Sequence, residues 1–337
     1  MPWGAASVDP TLWTDEAVRG RVIRVDRGEC DVVAGRGVVR VLSDSQRAQA
    51  QVAPVTGDWV ELTEVAGLGT VIDRVLPRRS AVSRRDPAER DLEQVLAANV
   101  DVVAAVVGLD RPIEAGWLER LLVVAMKSGA DPLVVLTKAD VADAAAGTDT
   151  DQAIAVARAV ADVVPVLVVS TVDRRGLDKV RDRIGPGRTL TLIGHSGVGK
   201  SSLVNALAGR EVVDVGEVRA SVAEGRHTTT ARELVKLPDG GGLVLDTPGI
   251  RTLGLWAAED AVELVFGDIV ELAEQCRFRD CAHQSEPGCA VMQAVGDGEL
   301  DPRRLERFRL MSEELAEIER RLIERERSQG RRGRKRR

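Results

Sequence analysis

The chain has 337 residues, 47 Lys and Arg against 53 Asp and Glu for a net charge of −6, and is 44% hydrophobic and 30% charged. This is the balance of a globular chain long enough for two or three domains. No apolar run approaches the roughly 20 residues that span a membrane, and the acidic balance argues against a protein that coats nucleic acid over its whole surface. The opening MPWGAASVDPTLW lacks the basic start and apolar core of a secretory signal, so a cytoplasmic location is expected.

Residues 1–14 are expected to form a flexible N-terminus. From 15 to 77 the chain shows short Val-rich runs broken by Gly, among them GRVIRVD, CDVVAGRGVVRVL and TGDWVELTEVAG. Their spacing and turn residues predict a small antiparallel β-barrel. Cys30 reads as a small core residue; Trp59 reads either as core or as the barrel's main exposed aromatic. Residues 78–93 read as a polar linker, with five Arg between Arg78 and Arg90 that are either solvated or available for phosphate contact.

Between 94 and 255 the pattern changes. Continuous apolar runs (VDVVAAVVGL, PLVVLTKAD, VPVLVVS, TLTLIG, GLVLDTPG) alternate with helical stretches such as GWLERLLVVAMKSG and KSSLVNALAG. That alternation predicts a mainly parallel sheet covered by helices on both faces.

Four segments of this region carry chemistry. Gly194, His195, Ser196, Gly197, Val198, Gly199, Lys200 and Ser201 spell G-x-x-x-x-G-K-S between a predicted strand and a predicted helix, the context that a phosphate-binding loop requires. Lys200 would reach the β- and γ-phosphates, Ser201 would ligate Mg²⁺, and Ser202 follows in the first helical turn. Asp246 ends the run GLVLD and can hold the same Mg²⁺ through water, while the Gly249 amide, closing Asp-Thr-Pro-Gly, can sense the γ-phosphate. Thr137, Lys138 and Asp140 end another apolar strand: the Asp140 carboxylate can accept from N1 and N2 of guanine, an arrangement that adenine cannot offer, and Lys138 would lay its stem across the nucleotide. Ser170 and Thr171, after VPVLVV, would form a second guanine-side loop.

An ordinary GTPase domain places its phosphate loop first. Here the guanine-side loops precede it. Ligand loops of a parallel sheet all lie at the carboxyl ends of the strands, and chain termini commonly lie close together. The order is therefore that of a circularly permuted GTPase domain.

Residues 256–323 read as a helical domain, ending in the amphipathic RRLERFRLMSEELAEIERRLIERER and followed by a basic tail at 324–337. Within it Cys276, Cys281, His283 and Cys289 supply three thiolates and an imidazole inside 14 residues, the ligand set of a closed, structural Zn²⁺ site. Arg277 and Arg279 would project from the same knuckle, where RNA phosphates are one partner for them.

The permuted order, with GHSGVGKSSLVNAL, GRHTTT (Gly225 to Thr230), DTPGIRTLGL and CRFRDCAHQSEPGCAV, resembles the RsgA (YjeQ) family of small ribosomal subunit biogenesis GTPases over residues from about 15 to 320. The resemblance implies that the barrel is an OB-fold. It also implies GTP hydrolysis to GDP and phosphate during late maturation of the small (30S) subunit, stimulated by the subunit and driving release, with 16S rRNA contacted by barrel, zinc module and tail. A monomer with Mg²⁺ at the nucleotide and one structural zinc is expected.

The family usually has Asn where Thr137 stands and Ser-Ala where Ser170-Thr171 stands, so a polar contact bracing the nucleotide loops is in question. Gly197 stands where cation-dependent relatives place Asn, which gives no support for a monovalent-cation requirement. Ile250 replaces the water-orienting Gln of many regulatory GTPases. His227 is the candidate to orient the attacking water, the alternative being that it bonds its own loop or touches RNA. Thr229 is the candidate, among Thr228 to Thr230, to complete Mg²⁺ coordination, a choice the residues leave open. The alternative function is a GTP-sensing zinc-finger regulator of DNA or a protein partner, with hydrolysis incidental.

Overall fold

Among the described residues the first element is β1 (Val18–Val25), followed by β2 (Glu29–Ala34), β3 (Gly37–Leu42), β4 (Trp59–Val65) and β5 (Gly69–Val75). They pair in the order β1-β2-β3-β5-β4, and β4 pairs back onto β1. This closes a five-stranded barrel whose seam between β3 and β5 is the single pair Leu42–Val71. Val22, Val32, Val41, Val60, Leu62 and Ile72 fill it, with Cys30 among them. Burial pushes the Cys30 thiol up to about 12, as befits a core residue. The computed structural model describes residues 18–26, 28–35, 37–42, 52–86, 92–144, 150–213, 232–245 and 254–334. The expected N-terminus at 1–14 thus lies outside the described residues.

The described part of the stretch read as a linker, 78–86 and 92–93, is structured. It holds β6 (Ala81–Arg85), which pairs antiparallel with β7 (Glu93–Ala98). Nor are its described arginines simply solvated or free for phosphate. Arg78 donates to both carboxylate oxygens of Asp58 at 2.8 Å, and Arg79 pairs with Asp101. Both carboxylates are nearly excluded from water, and a buried carboxylate is costly unless paired. The pairing reaches back to the barrel's GDWV stretch. Gly57, at φ 97°, brings its Cα so close to the carbonyl of Ala98 that a side chain there would collide with it. Trp59 is buried, with the Arg21 guanidinium 5.4 Å above its ring, so the core reading of Trp59 is the correct one.

The chain then runs through β8 (Val102–Gly108), α1 (Ala115–Lys127), β9 (Asp131–Thr137), α2 (Ala139–Ala144), α3 (Thr150–Val160), β10 (Val166–Val168), α4 (Leu177–Ile184), β11 (Thr189–Ile193), α5 (Lys200–Ala208), β12 (Arg232–Lys236) and β13 (Leu243–Leu245). The strands lie in the order β10-β9-β8-β11-β13-β12, all parallel except β12. Every residue of β8 and β11 is buried, because helices cover both faces. β1 also pairs antiparallel with β12, Arg24 opposite Glu233, so barrel and central sheet are continuous. Arg21, fully buried, clamps this junction by donating to the Asn99 carbonyl (3.0 Å) and Thr189 Oγ1 (2.9 Å).

Four helices complete the fold: α6 (Glu259–Val265), α7 (Gly267–Ala273), α8 (Ala290–Asp297) and α9 (Pro302–Arg334). The last continues into the basic tail at 324–334 rather than stopping before it; Arg is a good helix former, and the run holds no Pro. Among the described residues no helix is long and apolar enough to cross a membrane.

Candidate nucleotide and metal sites

Strands β8, β9, β10 and β11 are adjacent and parallel, so the loops that follow them gather at one edge of the sheet. After β11 the backbone turns sharply. Gly194, at φ 153°, passes so close to the carbonyl of Val106 that any Cβ would collide with it. Gly197 and Gly199 also lie at positive φ, the latter as the N-cap of α5. The loop has no room for side chains at Gly194 and needs left-handed backbone beyond it, which is why glycine stands there. Val198 is buried in the sheet-side core, whereas Ser196, Ser201 and Ser202 remain partly accessible and Gly197 is exposed.

Lys200 is 6% exposed and folds back over this loop. Its ammonium donates to the carbonyls of Gly194 (2.9 Å) and His195 (2.7 Å). The His195 imidazole stacks on the indole of Trp117 in α1, with centroids 3.8 Å apart and planes 16° from parallel. Burial holds the His195 pKa below its usual value, against the pull of Glu114 and with the help of Lys200 and Arg111.

On the side of the proposed base loops, Thr137 is fully buried at the end of β9. Its hydroxyl lies against two carbonyl oxygens, Val198 in the phosphate loop and Val107 at 3.2 Å, and with one proton it donates to one at a time. The next residue, Lys138, adopts a left-handed φ of 61° and donates to Asp110 Oδ2 at 2.8 Å. Partial burial works to raise the Asp110 pKa, but the hydrogen bond and charge of Lys138 outweigh it and hold that carboxyl below its ordinary range. Asp140 is half-buried in the first turn of α2. The Ala139 N–H donates to Val169 O (3.3 Å), which joins this loop to the one carrying Ser170 and Thr171. Ser170 is fully buried, its Oγ accepting from the N–H groups of Val172 and Asp173 at 3.2 and 3.3 Å.

The structure therefore brings together Thr137, Lys138, Asp140, Ser170, Thr171 and the whole of 194–202. His227, Thr229, Asp246 and Gly249 lie outside the described residues. Sequence reasoning missed Asp110, Trp117 and Asn205. Asp110 sits two residues past β8, a position that strand-end reasoning could have flagged. Asn205, on α5, accepts from the N–H groups of Val212 and Val213 (2.9 and 3.0 Å) and donates to Val213 O (2.8 Å), holding the chain that leaves the helix. Nothing local marks Trp117, since its partner stands 78 positions away.

The second site lies in the connection between α7 and α8, with Cys289 as the N-cap of α8. One ligand atom from each of Cys276, Cys281, His283 and Cys289 falls within 4.8 Å of every other. His283 Nδ1 is 3.6 Å from Cys276 Sγ and 3.5 Å from Cys289 Sγ, and those two sulfurs are 3.9 Å apart. Tetrahedral Zn–S bonds of about 2.3 Å put sulfurs about 3.8 Å apart, so the donor set fits one zinc ion. The Glu286 carboxylate accepts from the N–H groups of Ala282, Gln284 and Ser285, and these bonds, with that of its own amide, hold its pKa at about 2.

Comparison with known proteins agrees with this geometry. The family model described as RsgA GTPase matches residues 75–256. The chain is 45% identical over 306 residues to the small ribosomal subunit biogenesis GTPase RsgA of Streptomyces coelicolor, covering 89% of this chain and 81% of that protein. It is 37% identical over 298 residues to the protein of the same name from Methanosarcina acetivorans, covering 88% and 79%. The crystal structure of YjeQ from Thermotoga maritima superposes with a TM-score of 0.61 at 26% identity, over 89% of this chain and 98% of that one. That of YloQ, a circularly permuted GTPase, gives 0.58 at 24% identity over 91% and 96%, a likeness of fold.

Proposed function

The chain belongs to the RsgA GTPase family and is a GTP hydrolase, and we propose that it acts on the nascent small (30S) ribosomal subunit, hydrolysing GTP to GDP and phosphate late in maturation and leaving after hydrolysis. The observation that carries the nucleotide reading is the joining of the loop of Thr137 and Asp140 to the phosphate loop at Val198. Base and phosphate recognition thereby share one rigid edge.

In this reading Asp140 accepts from guanine N1 and N2, Lys138 covers the base, and the Ser170-Thr171 loop closes the far side. The amides of 194–202 surround the phosphates. Lys200 exchanges its bonds to the Gly194 and His195 carbonyls for the β- and γ-phosphates, so it is held in place before nucleotide arrives. Ser201 and Asp246 would hold Mg²⁺, which neutralises developing phosphate charge; Gly249 reports the γ-phosphate. His227 would orient the attacking water, and Thr229 would be a further ligand of the ion. The four zinc ligands stiffen the C-terminal module, which with the barrel and basic tail contacts 16S rRNA. A monomer working in the cytoplasm fits these roles.

GTP turnover by the full chain, alone and with isolated small subunits, tests the proposal. ATP, DNA and large subunits serve as controls. Stimulation by small subunits alone supports it; turnover indifferent to small subunits, with GTP binding intact, rejects the ribosomal role.

A further inference from the structure

Helix α1 touches both the phosphate loop and the C-terminal helices, through side chains within one turn of each other. Trp117 stacks on His195. Glu119, fully buried two residues later, accepts from Arg304 Nη1 (3.0 Å) and from Arg307 Nε and Nη2 (2.5 and 2.9 Å), both on α9. Arg120 pairs with Glu314 at 2.8 Å. A Cβ on Gly116 would stand 2.7 Å from Cδ of Arg307, so the helix start lies directly on that side chain. Arg304 also binds Asp268 (2.7 and 2.8 Å) and the Val265 carbonyl (2.9 Å), which ties the same contact to α6 and α7.

The indole has no hydrogen bond of its own: its buried Nε1 finds no acceptor among the described residues. The ring is placed by α1, by the apolar core it packs against and by the imidazole that it stacks on. On the other side, the carbonyl of His195 is an acceptor for Lys200. Trp117, His195 and Lys200 thus form a contact path from α1 to the phosphate loop.

We propose that Trp117 is a positioning residue for the phosphate loop, acting through His195, and that α1 transmits to it the seating of the C-terminal helices on Glu119. The proposal rests on the reading of 194–202 as the GTP phosphate site. It assigns Trp117 no contact with the nucleotide. A stacked pair of this kind contributes about 0.5–1.5 kcal/mol beyond area burial, which bounds the effect at roughly two- to thirteenfold in affinity.

The experiment uses the full chain, with GTP and GDP affinities and single-turnover rates for Trp117→Ala, Trp117→Phe, His195→Ala and the Trp117→Ala/His195→Ala double variant. The wild type must first bind GTP; if it does not, the nucleotide reading itself fails. With binding established, Trp117→Ala should weaken both nucleotides roughly two- to thirteenfold, Trp117→Phe should restore most of the loss, and the double variant should be no worse than the weaker single. Nucleotide should also change the tryptophan emission of the wild type and leave that of Trp117→Phe much less altered. Glu119→Gln should weaken nucleotide binding in the same direction with the stack residues intact. Should that variant fail to fold, Arg307→Met removes one of the two arginines and keeps the other. Unchanged affinities in Trp117→Ala, additive losses in the double variant, or a thermal shift with nucleotide constants intact would each reduce the stack to packing and overturn the proposal.

Discussion

The hydroxyl of Thr137, at the end of β9, rests against the main-chain carbonyl of Val198 in the phosphate loop, 61 residues further along the chain. Where the family resemblance leads one to expect Asn, Thr137 thus keeps a polar brace between the loop after β9 and the phosphate loop, supplied by a shorter group. A β-branched hydroxyl in a fully buried strand end loses little rotamer freedom in making it. Thr137→Val removes the bond and keeps the volume. A net hydrogen bond of about 1 kcal/mol predicts GDP and GTP affinities lowered about fivefold with guanine preference retained, measurable by displacement of a fluorescent nucleotide.

The proposed function puts guanine preference in Asp140. Asp140→Asn replaces an acceptor by an amide that presents N–H groups to the donors of guanine, leaving buried polar groups unpaired. GTP affinity should fall about a hundredfold or more, while affinity for xanthosine triphosphate, whose C2 oxygen accepts a hydrogen bond, should rise. Isothermal titration with both nucleotides checks this, and equal losses for the two would remove Asp140 from base recognition.

Thiol reactivity separates the four cysteines. Cys30 is buried with its thiol pushed up to about 12, so it offers almost no thiolate at neutral pH. The other three face one another around His283. Metal-loaded native protein should react with almost no thiol reagent, chelator should release one zinc equivalent and expose three thiols, and denaturant should expose the fourth. A chelator that liberates no zinc would leave the cluster without its metal role.

Acid sensitivity should register at His195. Burial holds its folded pKa below the ordinary value of 6.5, so the unfolded chain takes up the proton first. The associated stability is complete above pH 6.5 and is lost as pH falls through that value toward the folded pKa. The groups set around the imidazole are Glu114, Arg111 and Lys200, with the Trp117 face on one side. Urea midpoints of nucleotide-free protein should decline from pH 7.5 to 5.5, and His195→Gln should flatten part of that decline. An unchanged slope in the variant would place the acid sensitivity elsewhere.

Much of the site was legible in the residues because its chemistry is local. The run GHSGVGKS needs glycines where the backbone turns through left-handed φ, and Gly194 and Gly199 stand in that conformation. The Cys and His spacing brings four ligand atoms within one ion's reach inside a single knuckle. Alternation of apolar runs with helices is enough to imply a parallel sheet, and loop order along the chain is enough to imply permutation, since order is itself a sequence property.

Only the tertiary structure decided which distant groups meet. The arginines of 78–90 look like any basic surface run, yet Arg78 and Arg79 face the carboxylates of Asp58 and Asp101 because the barrel folds back on β7. Trp117 reads as an apolar face of α1 until the loop after β11 lays His195 on it. Glu119 and Arg304 are 185 positions apart, and nothing in either neighbourhood announces the pair. Short-range steric and hydrogen-bonding rules act over a few residues and can be read from their order. Buried charge and ring contacts depend on how separate elements pack, and a linear sequence does not state that distance.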